Sequence, residues 1–484
     1  MATSGAFAGG SPGRGFAPRG RAEYRLDCAA SIIESQFGPI VASVFRVLAI
    51  QPCHVRRLYV LCKGTSHKNI RKAVTVLIQH GMLEYEEAEH PIFYAKIEDV
   101  LLRLHFPAYA HVIGTMYGTL AERIFEQLFL HGLMRLSRLM GTVVQLTGGQ
   151  YSQTEILELF RTLVQDARVI QLHGAKDSEL FTFPDECKNL DKLISQEDGA
   201  TNNISADQHR YWTICHTQLL DKLQTRWGVT YIRAKISDEA AIIVEALAAL
   251  RQSASPEEVA TQLKRMGAKQ LSREHIAEWL QVLISEGEEI VVQAGMYAYM
   301  YNHSAVATVS RTRAVEKTIE ERYGIESMRI YNILCEKHYL EQDQLSKIAI
   351  AANFKATRLL INRLWKAGFV QIYEAARAQD RTTGRYMHLW TADPEAGRHL
   401  ILDECIHIAT NLIQRELKER QQHERILSQQ EFLSQELSAE DAEYEEESVK
   451  ADRKQLKKVL AGISKLHQQL LYVDRLMLQL RDYA

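Results

Sequence analysis

Apolar residues recur along this chain at two spacings, one helical and one alternating. In Asn353–Gly368 (NFKATRLLINRLWKAG), Ala356, Leu360, Ile361 and Leu364 fall on one face of a helix. Leu334, Leu345 and Ile348 anchor two shorter helical segments upstream. Asn353 is a candidate N-cap, because its side chain can accept an unpaired N–H of the first turn. Gly368 ends the helix, where a left-handed backbone costs glycine nothing. Phe369, Val370, Ile372 and Tyr373 then read as a strand. Three helices followed by a hairpin are the order of a winged helix.

The same pattern recurs upstream. Ser66 to Gly81, Ser152 to Ala167 and Ser272 to Gly287 repeat the fifteen-residue distance from Asn353 to Gly368. Each segment carries a cap, an apolar pair (Leu77/Ile78, Leu163/Val164, Leu283/Ile284, Leu364/Trp365) and a β-like run after it. One such segment is an ordinary amphipathic helix; four of equal length predict a duplicated module. The pattern predicts helices over Tyr24–Phe37, Pro39–Ile50, Val55–Cys62 and Ser66–His80, with a wing from Met82–Glu86 and Ile92–Ala95. The second module predicts one long helix over Tyr109–Leu130, then Leu133–Met140 and Ser152–Ala167. Its wing pairs Val169–Leu172 with Leu180–Phe183. Tyr211–Trp227 reads as the helix leading into the third module. That module has helices at Asp238–Leu250, Pro256–Met266 and Ser272–Glu286, and strands at Ile290–Gln293 and Met296–Tyr301. Ser304–Tyr323 leads into the fourth, whose wing returns through Tyr386–Thr391. The chain thus divides into a disordered tail (1–22) and four winged helices (23–105, 106–208, 209–302, 303–393), with a polar insertion at 185–207.

The remaining segment, 394–484, changes period. Leu456, Val459, Ile463, Leu466, Leu470, Val473, Met477 and Leu480 follow steps of three and four, a heptad seam. Ile401, Cys405, Ile408 and Leu412 begin a weaker one. The acidic stretch 438–448 lies between them, so the pattern predicts a coiled-coil hairpin with an acidic tip. Two helices docked separately on the body fit the same pattern. The fold class is mainly α: four tandem winged helices followed by that hairpin.

Composition narrows the function. The chain has 484 residues, 46% hydrophobic and 24% charged, enough for several packed domains. Its net charge of −2 means that any nucleic-acid surface is local. Seven scattered cysteines without a CxxC pair read as reduced thiols, not as a disulfide framework or zinc site. No apolar run reaches the ~18 residues of a membrane helix. There is no phosphate loop, dinucleotide fingerprint, HExxH or GxSxG, so the sequence predicts neither an enzyme nor a cofactor or metal site. Trp212, Trp279, Trp365 and Trp390 sit at apolar positions and are expected in cores.

The informative chemistry is basic. Between Arg25 and Lys72 there are eight cations against Asp27 and Glu34. Arg56, Arg57, Lys63, Lys68, Arg71 and Lys72 form the first candidate DNA surface, since cations turned to solvent are what phosphate contact requires. A solvated face is the plain alternative. Lys355 and Arg358, with Arg377, Arg381 and Arg385 in the wing loop, form the second. The matching helices of the middle modules carry Glu155 and Glu158, and Glu274 and Glu278. Four DNA readers would all be basic, so most of the modules read as protein-docking units.

Several stretches carry a family resemblance: SQFGPIVASVF (Ser35–Phe45), VLIQHGML (Val76–Leu83), Tyr211-Trp212, ERYGIESMRIYNIL (Glu321–Leu334) and EQDQLSKIAI (Glu341–Ile350). With the Arg385–Trp390 strand and the terminal heptads, these make the chain resemble the large winged-helix subunit of the RNA polymerase III initiation heterotrimer. The resemblance implies four extended winged helices and a non-catalytic, nuclear subunit at the rim of the polymerase cleft. It also implies a second winged-helix subunit, a small acidic subunit, a promoter-bound initiation factor and opened DNA as partners, and no membrane. Tyr386-Met387-His388 and Cys215 depart from the family's aromatic and polar tendencies at those positions. Two other classes fit the residues: a free-standing DNA-binding regulator, and a winged-helix scaffold of another nuclear assembly.

Overall fold

The computed structural model describes residues 21–86, 90–176, 179–184, 210–267, 271–348, 354–376, 386–430 and 447–481. The described chain is mainly helical, with short strands gathered in four antiparallel sheets. It begins α1 (Arg21–Phe37), α2 (Pro39–Ile50), α3 (Val55–Leu61) and α4 (His67–Gln79), with the hairpin β1 (Leu83–Tyr85) and β2 (Phe93–Ala95). Helix α5 (Ile97–Leu102) and a 3₁₀ turn (Arg103–His105) lead to α6 (Phe106–Tyr117), α7 (Thr119–His131), α8 (Leu136–Leu146) and α9 (Gln153–Gln165). The strands β3 (Ile170–Leu172) and β4 (Trp212–Ile214) follow. Next come α10 (His216–Lys235), α11 (Asp238–Leu250), α12 (Pro256–Arg265), α13 (Arg273–Glu286), β5 (Val291–Gln293) and β6 (Tyr299–Tyr301). The fourth unit is α14 (His303–Tyr323), α15 (Ile325–Lys337), β7 (Leu340–Glu341), α16 (Gln342–Ile348), α17 (Phe354–Ala367), β8 (Gln371–Ala376) and β9 (Tyr386–Thr391). Helices α18 (Pro394–Gln422), α19 (Glu424–Ser428) and α20 (Glu447–Leu480) close the chain.

Local chemistry sets most of these boundaries. The Ser66 hydroxyl accepts from the Asn69 N–H at 3.3 Å and starts α4; Ser152, Ser237, Ser255 and Ser272 start their helices in the same way. A second device recurs at helix junctions. Gly38, Gly118 and Gly324 each take φ near 88°, where an L side chain is strained, and turn the chain from α1 to α2, α6 to α7 and α14 to α15. The expected single helix over Tyr109–Leu130 is therefore two helices broken at Gly118. The helical period continues across the glycine, so apolar spacing alone does not reveal the break.

Strand pairing differs from expectation in the second unit. β3 pairs with β4 (Ile170↔Ile214, Leu172↔Trp212), while the expected return segment Leu180–Phe183 meets β3 through the Leu180 carbonyl, which accepts the Leu172 N–H at 2.9 Å. The helix expected from Tyr211 begins instead at His216, because Trp212–Ile214 is a strand. Trp212 is fully buried there, edge-on to Phe160 at 5.2 Å. Each hairpin also takes one more contact from the chain before its second helix. Cys53 bridges to Phe93, Met134 to Trp212 and Ala254 to Tyr299, and in the fourth unit β7 pairs with β9. Three side chains expected in cores are exposed: Ile348 (46%), Trp365 (43%) and Ala356, whose place toward the core Thr357 takes. Asn353, the expected cap of α17, lies outside the described residues, as do the insertion 185–207 and nearly all of the acidic stretch 438–448.

The helices of the tail are built into the body. α18 and α20 run antiparallel: Arg398 Nη1 donates to the Leu480 carbonyl at one end, and Arg425 pairs with Asp452 at the other. Leu456, Val459, Ile463, Val473, Met477 and Leu480 are buried along α20, and Leu466 and Leu470 are half-buried. On α18 the buried residues include Ile401, Cys405, Ala409 and Ile413, whereas Ile408 is exposed. The shift arises because α18 also packs on α1, where Gln414 reaches the Ser31 hydroxyl at 3.3 Å. One apolar core thus joins the first unit, the fourth unit and the tail helices; the second and third units have cores of their own.

Two half-buried imidazoles, each with its Nδ1 out of reach of solvent, sit at junctions. Burial pushes His216 down to about 4, aided by the nearby His105, Arg103 and Arg481, and it does the same to His80. The folded chain therefore prefers both neutral. Their stabilisation is present above pH ~6.5 and is lost as pH falls toward 4, at ~1.4 kcal/mol per unit and up to roughly 3 kcal/mol for His216. A falling melting temperature across that window, made shallower by His216→Leu, is the expected result. A pH profile identical in the variant would refute it.

Candidate nucleic-acid interface

The α3–α4 pair carries six exposed cations. Helix α4 buries Ile70, Ala73, Val74 and Leu77. That leaves Lys68, Arg71, Lys72 and Thr75 facing out. Arg56 and Arg57 on α3 and Lys63 in the following turn are exposed as well. Among the described residues, no carboxylate pairs with any of these six cations. His67, Lys68, Arg71, Lys72, Thr75 and Val76 line an open groove of about 560 Å³.

Two aromatic residues order this groove, and sequence reading missed both. The Tyr59 ring stacks on His67 at 4.1 Å with 16° between planes. The Arg71 Nε–H donates to the Tyr59 hydroxyl at 2.6 Å, so the guanidinium is held rather than free to sweep. A preorganised guanidinium loses less entropy on meeting a phosphate than a free one. The signal was available: Tyr59 and Arg71 lie on consecutive helices, but only their packing brings them together. The wing beside them is acidic, with Glu84 on β1, Glu86 just after it and the Tyr94 hydroxyl donating to Glu86 at 3.3 Å. The wing is thus opposite in charge to α4, which carries no carboxylate.

The other third helices differ. On α9 the Glu155 carboxylate accepts the Ser152 N–H at 2.8 Å, so it is part of a capping box, while Glu158 faces solvent. On α13, Glu278, together with Glu239 of α11, flanks His275, whose Nε2 lies 3.1 Å from Glu239 Oε2. Two carboxylates raise that imidazole, the hydrogen bond to Glu239 most. On α17, Lys355 and Arg358 are exposed, as expected. Arg377, Arg381 and Arg385 lie outside the described residues.

No group of three or more metal-ligating side chains converges among the described residues. The described cysteines are free thiols; burial pushes Cys28 and Cys335 up to about 11 and Cys405 up to about 12, away from nucleophilic thiolate chemistry. No described helix is long and apolar enough to cross a membrane.

Serine-capped helices and small antiparallel hairpins define a protein built of winged-helix units. Comparison with known proteins agrees. The C-terminal winged-helix domain of POLR3C matches residues 315–392, and the RNA polymerase III subunit RPC82 helix-turn-helix domain matches residues 27–88. The DNA-directed RNA polymerase III subunit RPC3 of Homo sapiens is 23% identical over 531 residues, covering 96% of this chain and 98% of that protein. The Bos taurus subunit is 24% identical over 531 residues with the same coverage. The Danio rerio subunit is 23% identical over 530 residues, covering 93% and 96%. Along nearly its whole length the chain is thus similar to the third subunit of DNA-directed RNA polymerase III.

Proposed function

We propose that this subunit is non-catalytic and peripheral, and acts in promoter-specific initiation and DNA opening within the nucleus. In this reading residues 23–105, 106–208, 209–302 and 303–393 are four tandem winged helices. Residues 394–484 are a coiled-coil hairpin with an acidic tip at 438–448. Arg56, Arg57, Lys63, Lys68, Arg71 and Lys72 hold backbone phosphates, and the remaining modules dock proteins: a second winged-helix subunit, a small acidic subunit and the promoter-bound initiation factor. The observation that carries the DNA role is the face of α4, with three exposed cations, no paired carboxylate and no exposed large apolar side chain. The acidic third helices of the middle modules argue against a free-standing DNA reader, which would need basic recognition helices throughout.

RNA polymerase III depleted of this chain is expected to retain RNA synthesis from a tailed or pre-melted template. It should lose promoter-directed initiation, and adding the chain back should restore it. Equal loss of both activities would argue for a role in the catalytic core instead.

A further inference from the structure

We propose that the outward face of α17 docks an acidic segment of a partner polypeptide that also carries apolar side chains. The inference goes beyond the DNA role of α4 and rests on the chain working inside a multisubunit polymerase. Helix α17 buries Thr357, Leu360, Ile361 and Leu364. Its remaining surface leaves Phe354 46%, Leu359 54% and Trp365 43% exposed. Lys355, Arg358, Arg363 and Lys366 are interleaved with them, all exposed. The helix carries no carboxylate, and among the described residues no ion pair engages Arg358, Arg363 or Lys366.

Helical geometry places these residues in two mixed rows. Phe354 and Arg358 are one turn apart, and Trp365 follows two turns on. Leu359 lies one turn after Lys355, one turn before Arg363 and two before Lys366. A cation thus stands beside every apolar side chain. α4, the corresponding helix of the first module, exposes cations with Asn69 and Thr75 and no large apolar residue. The contrast separates the two helices by ligand chemistry. Hydrated phosphates satisfy cations but give Leu359 no dry surface. An aliphatic side chain is also a poor stacking platform for bases, which favours a protein over single-stranded nucleic acid. Aromatic residues and arginine around a central aliphatic group are the composition of protein-binding hot spots. Arg358, Arg363 and Lys366, three exposed cations on a helix that carries no carboxylate, select an acidic occupant and speed its approach.

The test uses the assembled polymerase, purified with a photo-reactive benzoylphenylalanine in place of Leu359 and irradiated with and without promoter DNA. The expected cross-link joins a partner polypeptide, within a peptide rich in carboxylates and bearing apolar residues. A cross-link to DNA, to a second copy of this chain, to residues 431–448 of this chain or to a neutral or basic peptide would overturn the proposal, as would no cross-link at all. In parallel, the Arg358→Glu, Arg363→Glu pair and the Leu359→Ala, Trp365→Ala pair should each lower recovery of that same partner at least about tenfold. Neither pair should change the salt dependence of DNA binding. These positions are exposed, and circular dichroism with a melting curve establishes that each variant folds. If only the charge pair has an effect and DNA affinity falls with it, α17 is a second phosphate-binding helix and the proposal fails. An unchanged salt dependence in an α4 variant would instead count against the DNA role of α4 and leave this result standing.

Discussion

Replacing Lys68, Arg71 and Lys72 together with alanine is expected to flatten the salt dependence of DNA binding by roughly two to three units of log K per log salt. Each neutralised phosphate contributes about 0.7–0.9 to that slope through released counterions. At about 0.1 M salt the same change weakens binding on the order of a hundredfold, and it does so for any DNA sequence, since phosphates carry no base identity. The fold should be unaffected. The buried side of α4, formed by Ile70, Ala73, Val74 and Leu77, is untouched. Exposed substitutions of this kind usually stay within about 0.5 kcal/mol each. Tyr59→Phe is the finer probe: it keeps the stack on His67 but removes the acceptor that holds Arg71 at 2.6 Å. It should weaken binding by less than the triple variant and leave the slope nearly unchanged. The control is Glu158→Ala on α9. Glu155 is unsuitable because it caps its own helix, and its loss would cost stability for an unrelated reason. An unaltered slope in the folded triple variant would mean that α4 faces solvent or protein, and the phosphate role would pass elsewhere.

The second large effect lies in the interior. His105 Nδ1 and Asp474 Oδ1 are 2.5 Å apart, with side chains 0% and 3% exposed. The pair fastens α20 to the 3₁₀ turn between the first and second units, 369 residues away along the chain. Burial raises the Asp474 carboxyl, and His105 pulls it back down. Removing one partner leaves the other buried without its counterpart, so Asp474→Ala and His105→Ala should each cost about 3–5 kcal/mol. Replacing both with leucine should recover much of that loss, because no polar group is then stranded. Denaturant unfolding of the four proteins reads both the loss and its recovery. Single variants that lose under about 1 kcal/mol would show that the site relaxes or admits water. Arg398 is a second fastener. It is 2% exposed, bonded through Nη1 to the last carbonyl of α20 at 2.7 Å and through Nε to Glu395 at 2.8 Å. Both fasteners tie the terminal helix to the globular body. Disrupting the seam, for example by Met477→Asp, should therefore disturb the joined core and not merely release a separate arm.

The cationic face of α4 was legible because its ingredients are local. A serine cap, an apolar stripe and cations between the stripes lie within fifteen residues of one another. The groove was not fully legible. Tyr59 enters it only when α3 packs beside α4, and no helical or alternating period connects the two. For α17 the opposite error arose. Ala356 and Trp365 lie at positions that a helical period assigns to the core, yet the core takes Thr357 and leaves the tryptophan outside. Neighbouring positions on a helix differ by only a fraction of a turn, so which of them faces inward depends on what packs against it.

By itself the sequence determined the repeated helices, their caps and turns, the heptad seam of α20 and the local charge of each third helix. These depend on contacts within one or two turns, where the chain's own geometry leaves few choices. Tertiary structure decided the long-range pairings. It joined Ile170–Leu172 to Trp212–Ile214 across some forty residues and added the bridges from Cys53, Met134 and Ala254 to their hairpins. It also packed α18 against α1 so that the first and fourth units share a core. Such contacts are chosen by which apolar surfaces and unpaired backbone groups remain once the local elements have formed, and a period read along the chain holds no record of that choice.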